Sequence, residues 1–261
     1  MRTPLVVMAV LGVLLLGIDL GFGEGGGGAS AAREPATAPV ATIAHRVEGL
    51  RDLRYRRVPV PQRVTGAQAR RDGLRDYDAS EPPRIRSAEE EALELLGLIP
   101  GGTSLRRVAA SLYGQGVAGY YDPRTKRLKV VAGAATSTRA LTETVIAHEL
   151  THALEDQRYR LDDEGPSEGD DRALARLALV EGTATEIMTR YGERFLPPGE
   201  LLASAIGSAF APTGDLPPYI EAQTVFPYLA GQQFVRYLLR RAGGRWALVD
   251  DAERVRPPAS T

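Results

Sequence analysis

Residues 148–152 read His-Glu-Leu-Thr-His inside a run, Leu141 to Leu154, whose apolar residues recur at helical spacing behind Thr138, a suitable N-cap. Four residues along an α-helix advance about 6 Å and about one turn, so both imidazoles face one side and can converge on a single ion. Glu149 falls on the flank of that face, where its carboxylate can reach a metal-bound water without ligating the metal. The chain has three histidines and two of them fall in this motif, which makes chance a poor account of it. The bland alternative is a pair of satisfied imidazoles on a core-facing helix, because Leu141 and Val145 continue the same stripe. His45, alone in the N-terminal region, reads as an ordinary, partly exposed histidine.

A catalytic metal site needs a third protein ligand and one open position. The chain has no cysteine, so no thiolate ligand, cysteine nucleophile or disulfide is available, and Asp or Glu must complete the set. One zincin pattern continues with Gly three residues and His six residues after the second histidine; Glu155 and Arg158 hold those positions here and exclude it. The other takes a glutamate from a following helix. Over Asp170 to Arg190, the residues at helical spacing around Glu181 are Leu174, Leu177, Ala178, Ala184, Thr185 and Met188. A carboxylate in the middle of an apolar stripe needs a compensating cation, and a dication shared with His148 and His152 would supply it. Gly182 beside it permits close approach of another backbone. Two alternatives stay open: an ion pair of Glu181 with Arg176 or Arg190, and Glu186 as the ligand in its place.

The flanking sequence sets the organisation. Arg2 precedes an apolar run from Leu5 to Ile18 that Asp19 interrupts, which reads as a signal peptide or N-terminal membrane anchor over residues 1–20. Residues 21–43, rich in Gly, Ala and Pro and containing the cleavage-like Ala29-Ser30-Ala31, read as linker, and residues 44–261 as one catalytic domain. The expected location is extracytoplasmic, secreted or anchored, with membrane contact only through an uncleaved N-terminal segment. A net charge of −1 offers no global field for nucleic acid, so none is expected as a partner.

Within the domain, a helix is expected through Val47 and Leu50, and a Pro-punctuated edge strand over Arg57–Val64. After polar residues around Ala67 to Asp78, Glu89–Leu98 reads as a short helix closed by Pro100-Gly101-Gly102. Val117–Tyr121 and Arg127–Val131 form a β-hairpin across Asp122-Pro123-Arg124-Thr125. In the second strand Leu128 and Val130 point one way and Arg127, Lys129 and Val131 the other, as in a charge-defended edge strand with which a substrate can pair. Helices follow at 138–158, 170–190, 199–209 and 226–242, the last closed by Gly243-Gly244. Strands before helices, without βαβ alternation, indicate α+β: a hairpin or small sheet packed on the motif helix, then a mostly helical half.

These residues resemble zincins of the gluzincin type, and more narrowly a group of little-characterised bacterial HExxH metallopeptidases. The resemblance covers roughly residues 45–261. It is carried by Ala147–Leu154, Asp156-Gln157 and Glu181-Gly182, with Phe226-Pro227-Tyr228 and residues 257–261 resembling later stretches. It implies a zincin-like domain binding one zinc ion through His148, His152 and Glu181, with Glu149 as the catalytic acid. Glu155 stands where relatives often have Gln, and Thr183 where they often have Asp, so a hydrogen bond supporting a ligand histidine is expected to be moved or missing. Relatives continue past Thr261, and the C-terminus is expected to be incomplete on that account.

The expected function is zinc-dependent hydrolysis of a peptide or protein substrate, with Tyr228 as a candidate oxyanion stabiliser. The rival is an exported zinc-binding interaction or chaperone-like protein without catalysis, which would not need Glu149.

Overall fold

Thr138 caps the helix that carries the histidine pair: its hydroxyl accepts the Leu141 N–H at 3.2 Å, and the helix runs until Arg160 turns left-handed at φ 55°. This computed structural model describes residues 37–114, 119–131, 138–161, 170–201 and 216–254. The described elements follow in the order α1 (Val40–Arg51), β1 (Gln62–Val64), α2 (Gly66–Ser80), α3 (Pro83–Leu95), α4 (Leu105–Gly114), β2 (Gly119–Asp122) and β3 (Arg127–Val131). Then come α5 (Arg139–Tyr159), α6 (Asp170–Phe195), α7 (Pro218–Arg241) and α8 (Ala247–Arg254). The fold is α+β and mostly helical, with a three-stranded sheet among the described residues. No described helix is long and apolar enough to cross a membrane.

The hairpin forms where the Asp-Pro turn requires it. The Asp122 carboxylate accepts the Arg124 and Thr125 amides at 3.1 and 3.3 Å, and Lys126 takes the left-handed conformation that closes the turn. The edge assignment of Arg127–Val131 is corrected: β3 is the central strand, antiparallel to β2 on one side and parallel to β1 on the other. Gln62, Arg63 and Val64 pair with Lys129, Val130 and Val131, so that side is not open to a substrate strand. The alternation arises from two covered faces. Leu128 and Val130 pack toward α1 and α5, whereas Val131 packs with Val64 and Tyr120 toward α2 and α4. Lys129, which suggests a guarded edge, instead reaches Asp72 of α2 at 2.7 Å.

Several boundaries move. The strand expected over Arg57–Val64 survives only as β1, after Pro59 and Pro61. Helix α2 was not visible as an apolar pattern because its buried face consists of Ala69, Gly73, Asp76 and Ser80; a capping box between Thr65 and Gln68 starts it. α4 and α8 lie outside the helices expected from the sequence, and α7 starts at Pro218 and passes through Pro227. The linker ends earlier than 43: α1 begins at Val40, and the Ala38 N–H donates to Glu143 of α5 at 2.8 Å. The signal segment, most of 199–209 and residues 257–261 lie outside the described residues.

The main core joins α1, α5, α6, α7 and α8. Ile43, Val47, Leu150, Leu154, Ile187, Tyr191, Val235 and Val249 meet there, all buried. The histidine motif thus lies on a helix packed within that core chiefly against α1 and α6.

Candidate metal centre

His148 and His152 point from α5 toward α6, where Glu181 meets them. His148 Nε2 lies 3.0 Å from His152 Nε2 and 3.1 Å from Glu181 Oε2, and His152 Nε2 lies 3.6 Å from the same oxygen. The three residues are 2%, 2% and 0% exposed, so solvent does little to screen or stabilise any charge there. Together they form a buried group that can hold a metal ion.

Burial makes the electrostatics of the triad's own three groups unfavourable. Burial lowers the His148 imidazole below its usual range against the opposing bond from Glu181, and pushes His152 down to about 3. Burial raises the Glu181 carboxyl to about 7, which its bond to His148 only partly offsets. Two imidazole nitrogens 3.0 Å apart oppose their lone pairs unless a proton or a cation lies between them. A cation held jointly by His148, His152 and Glu181 would satisfy all three groups at once.

The backbone reason for this approach is a glycine crossing. A Cβ on Gly182 would collide with the Gly231 carbonyl and the Gln232 amide of α7, and one on Gly231 would collide with the Ala178 carbonyl. The close approach expected at Gly182 is therefore real, and the partner is α7. One turn before Gly231, Tyr228 is buried and stacks on His148, with ring centroids 6.1 Å apart and planes inclined by 26°.

Glu149 is buried beside the triad, and its Oε2 accepts the Tyr121 backbone N–H at 2.7 Å. Alternate residues of an antiparallel pair turn their amides away from the partner strand, so it is β2 that presents an edge to α5. Burial holds the Glu149 carboxyl well above the usual carboxylate range, and the Glu181 charge adds to the effect. The hairpin is pinned a second time by Asp156, which accepts the Tyr121 hydroxyl at 2.7 Å and the Leu161 amide at 2.9 Å.

The remaining candidates separate clearly. Glu186 is paired with Arg190 at 2.8 Å and Arg236 at 2.7 Å, and it is outside the triad. Glu181 pairs with neither Arg176 nor Arg190 among the described ion pairs. His45 is exposed beside Glu48. Glu155 bonds to Arg51 at 2.8 Å and the Thr183 hydroxyl to the Leu179 carbonyl at 2.9 Å, and no bond from either to His148 or His152 is found among the described residues. His148 Nδ1 and His152 Nδ1 are buried with no hydrogen-bond partner among the described residues. Strand β3, the expected substrate edge, contributes no residue to the triad. The Tyr121 amide was not foreseen, because it is a backbone group whose direction depends on strand pairing.

A cavity of about 480 Å³ lies between α6 and α7 and reaches Glu181 and Tyr228. Compared with protein-family models, curated proteins and solved structures, the chain matches none.

Proposed function

We propose that the chain is an exported, zinc-dependent peptidase with a zincin-like domain. The observation that carries this reading is the buried triangle of His148 Nε2, His152 Nε2 and Glu181 Oε2, with edges of 3.0, 3.1 and 3.6 Å. Ligands about 2.0–2.1 Å from a tetrahedral zinc ion stand about 3.3 Å apart, which matches those edges. Two imidazoles and one carboxylate, with a fourth position open, are the donor set of a catalytic zinc site.

Zinc held there supplies acidification of a water and polarisation of the substrate carbonyl. Glu149 takes a proton from the attacking water and passes it to the leaving amine, a role suited to a carboxyl raised by burial. The Tyr121 amide fixes the Glu149 carboxylate, so this group need not be ordered during the reaction. Burial also raises the Tyr228 phenol well above its usual range, the Glu181 and Glu149 charges adding to it, so it stays protonated as a hydrogen-bond donor toward an oxyanion.

Export rests on Arg2 and the apolar run Leu5–Ile18. The test is metal analysis of purified protein combined with cleavage of a peptide library. One zinc per chain and chelator-sensitive cleavage are expected. A zinc-replete protein that cleaves no peptide in the library would count against the peptidase reading.

A further inference from the structure

Helix α7 buries Ile220, Pro227, Tyr228, Gly231, Val235 and Leu239 on one face. The opposite face carries Phe226, Phe234 and Tyr237, which are 46%, 47% and 45% exposed. Steps of eight and three residues keep these rings within about 80° of one another around the helix. They form one aromatic stripe along α7, which a fold with no use for it would not leave in water.

The stripe ends in positive charge. Arg240 and Arg241 follow it at the end of α7 and Arg245 stands four residues on, all exposed. Arg236 is neutralised by Glu186, whereas none of these three has a carboxylate partner among the described residues. Arg241 bonds the Tyr237 hydroxyl at 3.1 Å and lies over its ring, 5.8 Å from the centroid, so the charge continues the line of the aromatics. Rings that bury among acyl chains and headgroups, beside guanidinium groups that pair with phosphate, complement a surface that is apolar within and anionic at its face. A second copy of the chain fits this face less well. Glu221, the acidic residue of α7, lies about 140° around the helix from Phe226, so an antiparallel α7 brings no carboxylate to the arginines. A bilayer is also within reach of the apolar run Leu5–Ile18, because residues 21–39 can span up to about 65 Å before α1 begins.

We propose that this face of α7 rests on an anionic phospholipid membrane, with Phe226, Phe234 and Tyr237 entering the headgroup layer and Arg240, Arg241 and Arg245 meeting lipid phosphates. The contact is additional to the N-terminal run and independent of the peptidase reading. The net charge of −1 supplies no long-range attraction, so the contact depends on the local arginines. Each favours binding by about fivefold, and the three together by about 100-fold.

The chain has no cysteine, so Gln233→Cys on this face and Ala67→Cys at an exposed position of α2 each create a single labelling point. Full-length protein carrying a fluorophore at either point is mixed with phosphatidylcholine vesicles that contain a headgroup-level nitroxide lipid, with or without phosphatidylglycerol. With phosphatidylglycerol the Gln233 probe should be quenched and the Ala67 probe spared, and salt at about 1 M should remove the difference. Replacing Arg240, Arg241 and Arg245 together by Gln should bring the Gln233 signal to the Ala67 level, with melting temperature unchanged. Phe234→Gln combined with Tyr237→Gln should do the same. Equal quenching at the two positions, equal quenching of the Gln233 probe without phosphatidylglycerol, or quenching that survives either set of substitutions overturns the proposal. A Gln233 probe whose emission moves to shorter wavelength without nitroxide quenching assigns the face to a second copy of the chain, and overturns it as well.

Discussion

Gly182 of α6 and Gly231 of α7 cross with their backbones in contact, and Glu181 and Tyr228 reach His148 from either side of that crossing. In an ordinary helix interior Gly→Ala stabilises by about 1 kcal/mol. At Gly182 the sign should reverse, because the new methyl meets backbone, which cannot yield as a side chain does. Gly182→Ala is expected to lower stability by about 2–3 kcal/mol in urea titration and to weaken zinc binding. A more stable variant would show that the crossing does not set the site.

Metal affinity should depend on pH through Glu181. Burial raises this carboxyl from 4.5 to about 7, whereas His152 is held down to about 3 and His148 below its usual range. Below about pH 7 the metal must displace one proton, from Glu181, and not three. Competition titrations between pH 5.5 and 6.5 should therefore show zinc affinity falling about tenfold per pH unit, and Glu181→Gln should remove that slope. The metal-free protein should show the linked effect: Glu181's contribution to stability is present below pH 4.5 and lost as pH rises to about 7, since the folded state retains a proton the unfolded state releases. A hundredfold or steeper affinity change per unit would assign the protons to the histidines.

Arg51 is 0% exposed and ties α1 to both α5 and α8. Its Nε donates to Glu155 Oε1 at 2.8 Å, its Nη2 lies 2.8 Å from Asp250 Oδ1 off the hydrogen-bond axis, and its guanidinium covers the Trp246 ring at 4.4 Å. Arg51→Met would strand buried carboxylates, at a cost of about 3–5 kcal/mol near neutral pH. Burial raises the Glu155 and Glu253 carboxyls, so acid should neutralise them and relieve part of the loss. Urea titrations at pH 5 and pH 8 should show the larger loss at pH 8; equal losses would place the contribution of Arg51 in packing.

The helices that carry His148, His152 and Glu181 were legible because their signals are local. The His148–His152 interval, Thr138 as cap and the apolar stripe around Glu181 each follow from helical periodicity. The sheet was less legible, because its pairing is non-local. The side-chain alternation of β3 is compatible with an edge or a centre, and only the return of β1, more than sixty residues earlier, decides between them. Helix α2 buries small and polar residues, so its periodicity carries little hydrophobic contrast. The direction of the Tyr121 amide depends on ladder register and was beyond reach for the same reason.

Tyr228→Phe separates ring from hydroxyl. The stacked ring on His148 should remain, and with it zinc content and fold. If the hydroxyl donates to the oxyanion, kcat should fall about 10²- to 10³-fold with KM nearly unchanged. A change confined to KM would assign Tyr228 to substrate binding.

Glu149→Gln is the variant in which the catalytic and non-catalytic readings diverge most. The wild-type carboxyl is buried, raised well above its usual range and close to the charge of Glu181, so a neutral amide of the same shape relieves an unfavourable charge. Its oxygen can still accept the Tyr121 N–H, and the variant should melt at or above the wild-type temperature. Zinc content should be unchanged, because His148, His152 and Glu181 form the triad without it. An amide oxygen is too weak a base to take a proton from the attacking water, so cleavage should fall by about 10²- to 10⁴-fold. A non-catalytic zinc-binding protein would lose nothing in its role from the same change. Wild-type cleavage rates from zinc-replete, protease-free Glu149→Gln protein would remove Glu149 from the mechanism, whereas folded, zinc-loaded and inactive protein would place the chemistry at this carboxylate.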